Sequence, residues 1–231
     1  MRQLGLFAKY WEPGLVKTRL AKAIGDQVAA QLHHEFLKTT LQTFHSFQAE
    51  RVLSYWPHER RTEFEELAGS SWTSAPQTTG NLGTRMQSYF TAAFQAEQQQ
   101  VVLIGSDSPT LSPCIVETAF NKLQQHDVVI GPAHDGGYYL IGCSRPVPGI
   151  FDDIDWGSGQ VFEQTIHKLN SLGIRYAVLT EWYDIDQLED LIRLEAELTQ
   201  PNHGQPWPAA LVQLVTEVLK TFHPHDHSDR S

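Results

Sequence analysis

Val101-Val102-Leu103-Ile104-Gly105-Ser106-Asp107 is the stretch on which the reading of this chain turns. Four consecutive aliphatic residues, three of them β-branched, describe a strand covered on both faces rather than the alternating pattern of a half-exposed one. Gly105 ends the run, and Asp107 falls just beyond its C-terminal end. Ser112-Pro113 then supplies an N-cap and a proline at the first helical position, so a helix is expected from there to about residue 125. The same alternation extends in both directions. Apolar, strand-like runs recur at residues 4–8, 52–55, 128–130, 138–141 and 176–179. Between and beyond them lie helical periodicities at about 25–47, 58–67, 80–97, 158–172, 187–198 and 209–222. Strands alternating with helices predict a mostly parallel sheet with helices on both faces, a Rossmann-type three-layer α/β/α sandwich. Its strand ends form one edge where ligands bind. We expect one domain over residues 1–222 and a disordered, His-rich tail at 223–231, whose histidines have no surrounding shell to orient them toward a metal.

Composition excludes several roles. The 231 residues are 41% hydrophobic and 19% charged, with a formal net charge of −10. Nucleic acid demands a basic face, and an anionic membrane surface would repel this chain, so neither is an expected partner. A small anionic ligand needs only a local basic pocket. Cys114 and Cys143 form no C-x-x-C pair, which argues for reduced structural thiols. With no leader-like segment and no apolar run of about 20 residues, the expected location is the cytoplasm.

Four segments carry candidate chemistry. The loop after the first strand, Phe7-Ala8-Lys9-Tyr10-Trp11-Glu12-Pro13-Gly14-Leu15-Val16-Lys17-Thr18-Arg19, places three cations in an acidic chain between a strand and a helix, where phosphate binds readily. It has neither the glycines of a Walker A loop nor a dinucleotide fingerprint. Gly105-Ser106-Asp107-Ser108-Pro109 offers a carboxylate at the ligand edge, suited to Mg²⁺ or Mn²⁺ or to a self-bonded turn. His134-Asp135-Gly136-Gly137-Tyr138 reads as a hairpin turn or as the wall of a site. In Asp184-Ile185-Asp186, two acids alternate on an extended backbone and point the same way. Asp186 also fits an N-cap, with Glu189 at the capping-box position.

Together these segments resemble DUF2064, a bacterial family within the GT-A nucleotide-diphospho-sugar transferase superfamily, some of whose members carry the name arsenosugar biosynthesis glycosyltransferase. The resemblance rests on F-A-K at Phe7–Lys9, P-G-x-V-K-T-R-L at Pro13–Leu20, G-N-L-G-T-R-M at Gly80–Met86, G-S-D-S-P at Gly105–Pro109 and D-G-G-Y-Y-L-I-G at Asp135–Gly142. The chain departs from the pattern at Trp11, at His134, and at Gln187-Leu188, where related enzymes have Thr-Pro.

The resemblance implies a GT-A-like fold in which the first loop, with Phe7, Ala8, Lys9, Gly14, Lys17 and Arg19, cradles a nucleotide together with Arg85 and Ser106. It implies Mg²⁺ or Mn²⁺ held by Asp107 and Asp186. Asp135, Gly136, Gly137 and Tyr138 would face a small-molecule acceptor, with Asp107, Asp135 and Lys17 as the catalytic groups. Glycosyl transfer from a nucleotide-sugar is the leading expectation. Nucleotidyl transfer from a nucleoside triphosphate to a small phosphate-bearing substrate is the alternative, and a non-catalytic nucleotide-binding module is a third. A homodimer is left open.

Overall fold

A computed structural model describes residues 1–200 and 206–222. The tail expected at 223–231 lies outside the described residues, as does part of the connection before the last helix. The strands are β1 (Arg2–Lys9), β2 (Glu50–Trp56), β3 (Thr73–Pro76), β4 (Gln100–Ile104), β5 (Val128–Pro132), β6 (Tyr138–Cys143) and β7 (Tyr176–Val178). The helices are α1 (Thr18–Ile24), α2 (Asp26–Thr43), α3 (Arg61–Ala68), α4 (Leu82–Gln95), α5 (Pro113–Lys122), α6 (Val161–Ser171), α7 (Leu188–Leu198) and α8 (Ala209–Lys220). The strands form one sheet in the order β3-β2-β1-β4-β6-β5-β7, in which β6 alone runs antiparallel to its neighbours.

The apolar runs are continuous because helices cover both sides of the sheet. Along β4, Val102 and Ile104 face one core with Leu4, Leu6, Leu37, Phe64 and Phe120, while Val101 and Leu103 face the other with Met86, Phe90, Ile141 and Leu169. The period of two sorts one unbroken run into two opposite interiors. A third cluster joins α1 and α2 to α7 and α8 through Leu20, Phe36, Leu191, Leu194, Leu211 and Val215. It anchors the segment that carries Asp184 and Asp186 to the helices following the first loop.

Gly5 shows how closely the layers meet. A Cβ there would lie 2.1 Å from the Tyr89 hydroxyl of α4, so only glycine lets that ring lie across β1, where Gln3 Nε2 donates to Tyr89 Oη at 2.8 Å. The Ser112 cap forms as expected, its Oγ accepting from the Cys114 N–H at 3.1 Å with Pro113 opening α5. Two elements escape the sequence pattern. Seven-residue α1 is too short to establish a period, and β3, with pattern T-S-A-P, has too little apolar character to read as a strand.

Candidate active site

The sheet changes direction of growth at β1: β2 and β3 extend to one side, β4 and the rest to the other. At such a switch point the connections from adjacent strand ends diverge and leave a crevice. A cavity of about 430 Å³ occupies it, lined among others by Phe7, Ala8, Lys9, Lys17, Arg85, Ser106, Asp107, Tyr138 and Asp186.

Lys17 is the centre of this site. It sits at the entrance to α1 in the left-handed region, at φ 48° and ψ 40°, and its side chain is 2% exposed. Its ammonium contacts Asp107 Oδ1 and lies 3.0 Å from Asp186 Oδ1. Burial by itself would lower the lysine pKa, but the charges of Asp107 and Asp186 outweigh it and hold the group firmly protonated. Asp107 is held well below the ordinary carboxylate range: burial opposes this, and the Lys17 charge and a contact with His33 prevail. About 44% of the Asp107 side chain stays open to the cleft.

His33, wholly buried on α2, was not picked out in the sequence because a lone histidine in a helical pattern carries no signal. Its Nε2 donates to the Lys9 carbonyl at 3.0 Å, and Nδ1, with no hydrogen-bond partner, lies 3.7 Å from Asp107 Oδ1. Lys9 Nζ in turn donates to the Leu15 carbonyl at 2.6 Å, drawing the two ends of the first loop together.

Asp184 also lines the cavity and accepts from Ser108 Oγ at 2.5 Å. Burial pushes its carboxyl up to about 7, and the charge of Asp107 adds to the effect. The two acids of Asp184-Ile185-Asp186 face the same cleft, while Ile185 turns into the third cluster. The Ile185 N–H donates to the Asp107 carbonyl at 3.0 Å, tying this segment to the β4 end.

The capping expectation is corrected by one position. Gln187 is the N-cap of α7, and Asp190, not Glu189, closes the capping box. Asp190 Oδ2 accepts from the backbone N–H groups of both Asp186 and Gln187, at 3.0 and 2.8 Å. That leaves the Asp186 carboxylate for Lys17.

Five of the expected residues do not line the cavity: Gly14, Arg19, Asp135, Gly136 and Gly137. Arg19 is exposed at the start of α1. Asp135 Oδ1 accepts from the Gly137 N–H at 2.8 Å, which braces its own turn, although its charge reaches Asp184. Gly136 has φ 85°, and a Cβ there would lie 2.0 Å from the Gly159 carbonyl oxygen, so packing of this turn already requires glycine.

The cavity's other end is built from Arg85, which the resemblance named, together with Gln77 and Trp56, which the sequence did not flag. Gln77, just past β3, is buried and donates from Nε2 to the carbonyls of Ser54 at 2.7 Å and Ala8 at 3.4 Å. Arg85 lies 4.3 Å above the Trp56 ring, donates from Nε to Gly80 O at 3.0 Å, and reaches Gln77 Oε1 at 3.4 Å.

A basic loop, a strand-end acid and a G-x-L-G-x-R-M turn thus converge on one crevice. The family described as an uncharacterized protein conserved in bacteria (DUF2064) matches residues 39–158. The chain belongs to the DUF2064 family. A 3-phospho-D-glycerate guanylyltransferase from Phenylobacterium zucineum (strain HLK1) is 30% identical over 136 residues, 57% of this chain. The shared stretch spans 62% of that relative, less than two thirds of its length.

A crystal structure from Desulfovibrio desulfuricans G20, assigned as a nucleotide-diphospho-sugar transferase, superposes with a TM-score of 0.85 at 32% identity, covering 94% of this chain and 97% of that one. The 4-diphosphocytidyl-2C-methyl-D-erythritol synthase of Anaerococcus prevotii DSM 20548 is similar at a TM-score of 0.57 and 12% identity, over 86% of this chain and 97% of that one. That last likeness shows the fold alone. The DUF2064 chain therefore has the α/β fold of these transferases. Among the described residues, no helix is long and apolar enough to cross a membrane.

Proposed function

We propose that this DUF2064 protein is a metal-dependent nucleotidyltransferase that takes a nucleoside triphosphate as donor and a small molecule as acceptor. The observation that carries the reading is the buried Lys17 ammonium bridging Asp107 and Asp186 at the floor of the crevice. A compact, permanently charged cation beside two carboxylates is suited to phosphate chemistry, where negative charge accumulates on a leaving group. The guanylyltransferase relative supports the choice of nucleotidyl over glycosyl transfer. Glycosyl transfer is the second reading, favoured by the designation of the Desulfovibrio structure as a nucleotide-diphospho-sugar transferase.

The donor set fits a hard cation. Asp107 and Asp186 offer carboxylate oxygens on one side of the cleft, and Mg²⁺ or Mn²⁺ commonly takes one or two such ligands and fills the rest with water and phosphate. Among the described residues, no group of three or more His, Cys, Asp or Glu side chains is placed to hold a metal by itself. When bound, the ion would neutralise phosphate charge and polarise the bond being broken.

The chain's own residues supply the rest. Lys17 holds the phosphates and stabilises the charge that develops on departing pyrophosphate. His33 and Lys9 keep the first loop closed over that position. Asp184, with its carboxyl raised to about 7, is placed to accept a proton from an attacking acceptor hydroxyl. Asp184 is preferred to Asp135 for that role because Asp184 lines the cavity and Asp135 does not.

A thermal-shift panel of nucleoside triphosphates and nucleotide-sugars, each with and without Mn²⁺, tests the reading. A ligand at about 100 times its Kd adds roughly 2.7 kcal/mol of stability. A triphosphate that stabilises most, and only with Mn²⁺, is the expected result. A nucleotide-sugar that outperforms every triphosphate would shift the assignment to glycosyl transfer.

A further inference from the structure

Arg85 has more donors than the protein uses. Its Nε–H goes to the Gly80 carbonyl and one N–H of Nη1 reaches Gln77 Oε1, so three of the five guanidinium hydrogens have no protein acceptor among the described residues. No carboxylate neighbours it there either, and burial is the one influence acting on its pKa, which it lowers. The group is nevertheless held in place. The Trp56 ring lies beneath it at 4.3 Å, and Gln77 is itself fixed by donating to Ser54 and Ala8. A flat guanidinium, locked on an aromatic face and presenting an unspent donor edge to a cavity, is built to meet a pair of adjacent acceptors.

Its position separates it from the phosphate end. Trp56 closes β2, which lies two strands from β4 in the sheet, and neighbouring strands are about 4.8 Å apart. Arg85 therefore stands roughly 10 Å to the side of the strand that delivers Asp107. With phosphates at Lys17, a donor nucleotide reaches Arg85 with its base, after the length of its ribose. The wall between the two ends is apolar, formed by Phe7, Ala8, Leu82 and Met86, as a flat ring requires.

We propose that the Arg85 guanidinium, set by Trp56, Gln77 and Gly80, selects guanine by donating to O6 and N7 of the base. Guanine presents two adjacent acceptors on that edge, and arginine pairs with both at once. Adenine shows an acceptor beside an amino donor there, which sets two donors against each other. Cytosine carries adjacent acceptors at O2 and N3, but O2 adjoins the glycosidic nitrogen and faces back toward the ribose. The far edge of a purine is the one that extends to Arg85.

This inference rests on the nucleotide-donor reading above, and the test separates the two. Affinities of GTP, ITP, 7-deaza-GTP, ATP, CTP and UTP are measured by calorimetry in Mg²⁺ buffer, for the parent and for Arg85→Met and Arg85→Lys, with a melting curve for each protein. ITP keeps O6 and N7 and loses only the 2-amino group, so it should bind like GTP. 7-Deaza-GTP lacks N7 and should bind more weakly. A bidentate pair discriminates by roughly ten- to hundredfold, so the parent should prefer GTP over ATP by about that factor. Arg85→Met should erase the preference while keeping its melting temperature, and Arg85→Lys should restore little of it, because an ammonium has no fork. Arg85→Met weakening all six nucleotides equally would place Arg85 on phosphate and overturn the proposal. A parent preference for CTP, or a GTP preference that survives Arg85→Met, would overturn it as well. If none of the six binds to the parent, the donor reading itself falls, and this one with it.

Discussion

Replacing Lys17 by methionine shortens the unbranched side chain by one atom and removes its charge. The pair with Asp186 at 3.0 Å has a gross attraction of about 5 kcal/mol at an effective dielectric of 20. The contact with Asp107 adds a second term of similar size. Against these stands the cost of taking the ammonium out of water, several kcal/mol for an ion as enclosed as this one. Removing one partner of a fully buried pair typically costs about 3–5 kcal/mol. Here Asp107 and Asp186 keep 44% and 33% of their side chains in the cleft, so water and counterions absorb part of the loss. The expected destabilisation is about 2 kcal/mol, read as a lower urea midpoint at unchanged slope. A second consequence follows from the same charges. Asp107, Asp184 and Asp186 would face the cleft without a fixed cation, so Mn²⁺ without nucleotide should bind more tightly to Lys17→Met than to the parent, while nucleotide with Mn²⁺ binds more weakly. Equal stability, together with unaltered affinity for Mn²⁺ and for nucleotide, would refute the account of Lys17 as the electrostatic centre.

Asp107→Asn should lower nucleotide-dependent Mn²⁺ affinity by at least about tenfold while leaving the fold intact, checked by Mn²⁺ titration beside a melting curve. Asp184 gives a pH signature: its folded pKa is raised to about 7 from an ordinary 3.8, so the folded state binds more protons across that interval and stability falls as pH rises from about 4 to 7. Asp184→Asn should remove that fall, and urea midpoints collected across the interval that still decline as steeply would assign the slope to other groups. Gly136→Ala should cost about 2 kcal/mol or more, because its φ of 85° disfavours a side chain and the new Cβ meets the Gly159 carbonyl; a melting temperature within a degree of the parent would contradict this packing.

The sheet core was legible because burial on both faces leaves an unambiguous mark. Val101 to Ile104 reads as a strand buried on both faces, and Asp107 follows just past its C-terminal end, as the fold shows. The Ser112-Pro113 helix start was equally local. The candidate site was legible only where chemistry-bearing residues stood in the loops that follow strands: Lys17, Asp107 and Asp186 were named in advance, and the fold brings them into contact across 169 positions. Whether the Asp186 carboxylate caps α7 or stays in the cleft beside Lys17 depended on the register of α7. A shift of one residue gave the capping task to Gln187 and Asp190, and no propensity distinguishes adjacent polar residues that finely. His33, Trp56 and Gln77 could not be read from the chain at all. Each sits in a segment whose local pattern explains it as helix, strand or loop, and each acquires its role from what lies opposite in space: the Lys9 carbonyl and Asp107 for His33, the Arg85 guanidinium for Trp56, two parallel strand carbonyls for Gln77. Periodicity and composition settle which residues are buried and where the buried strands end, because those are one-dimensional consequences of the hydrophobic effect. Which polar groups meet is decided by strand order, since the β3-β2-β1-β4 arrangement sets Trp56 and Gln77 at one end of the crevice and Asp107 at the other.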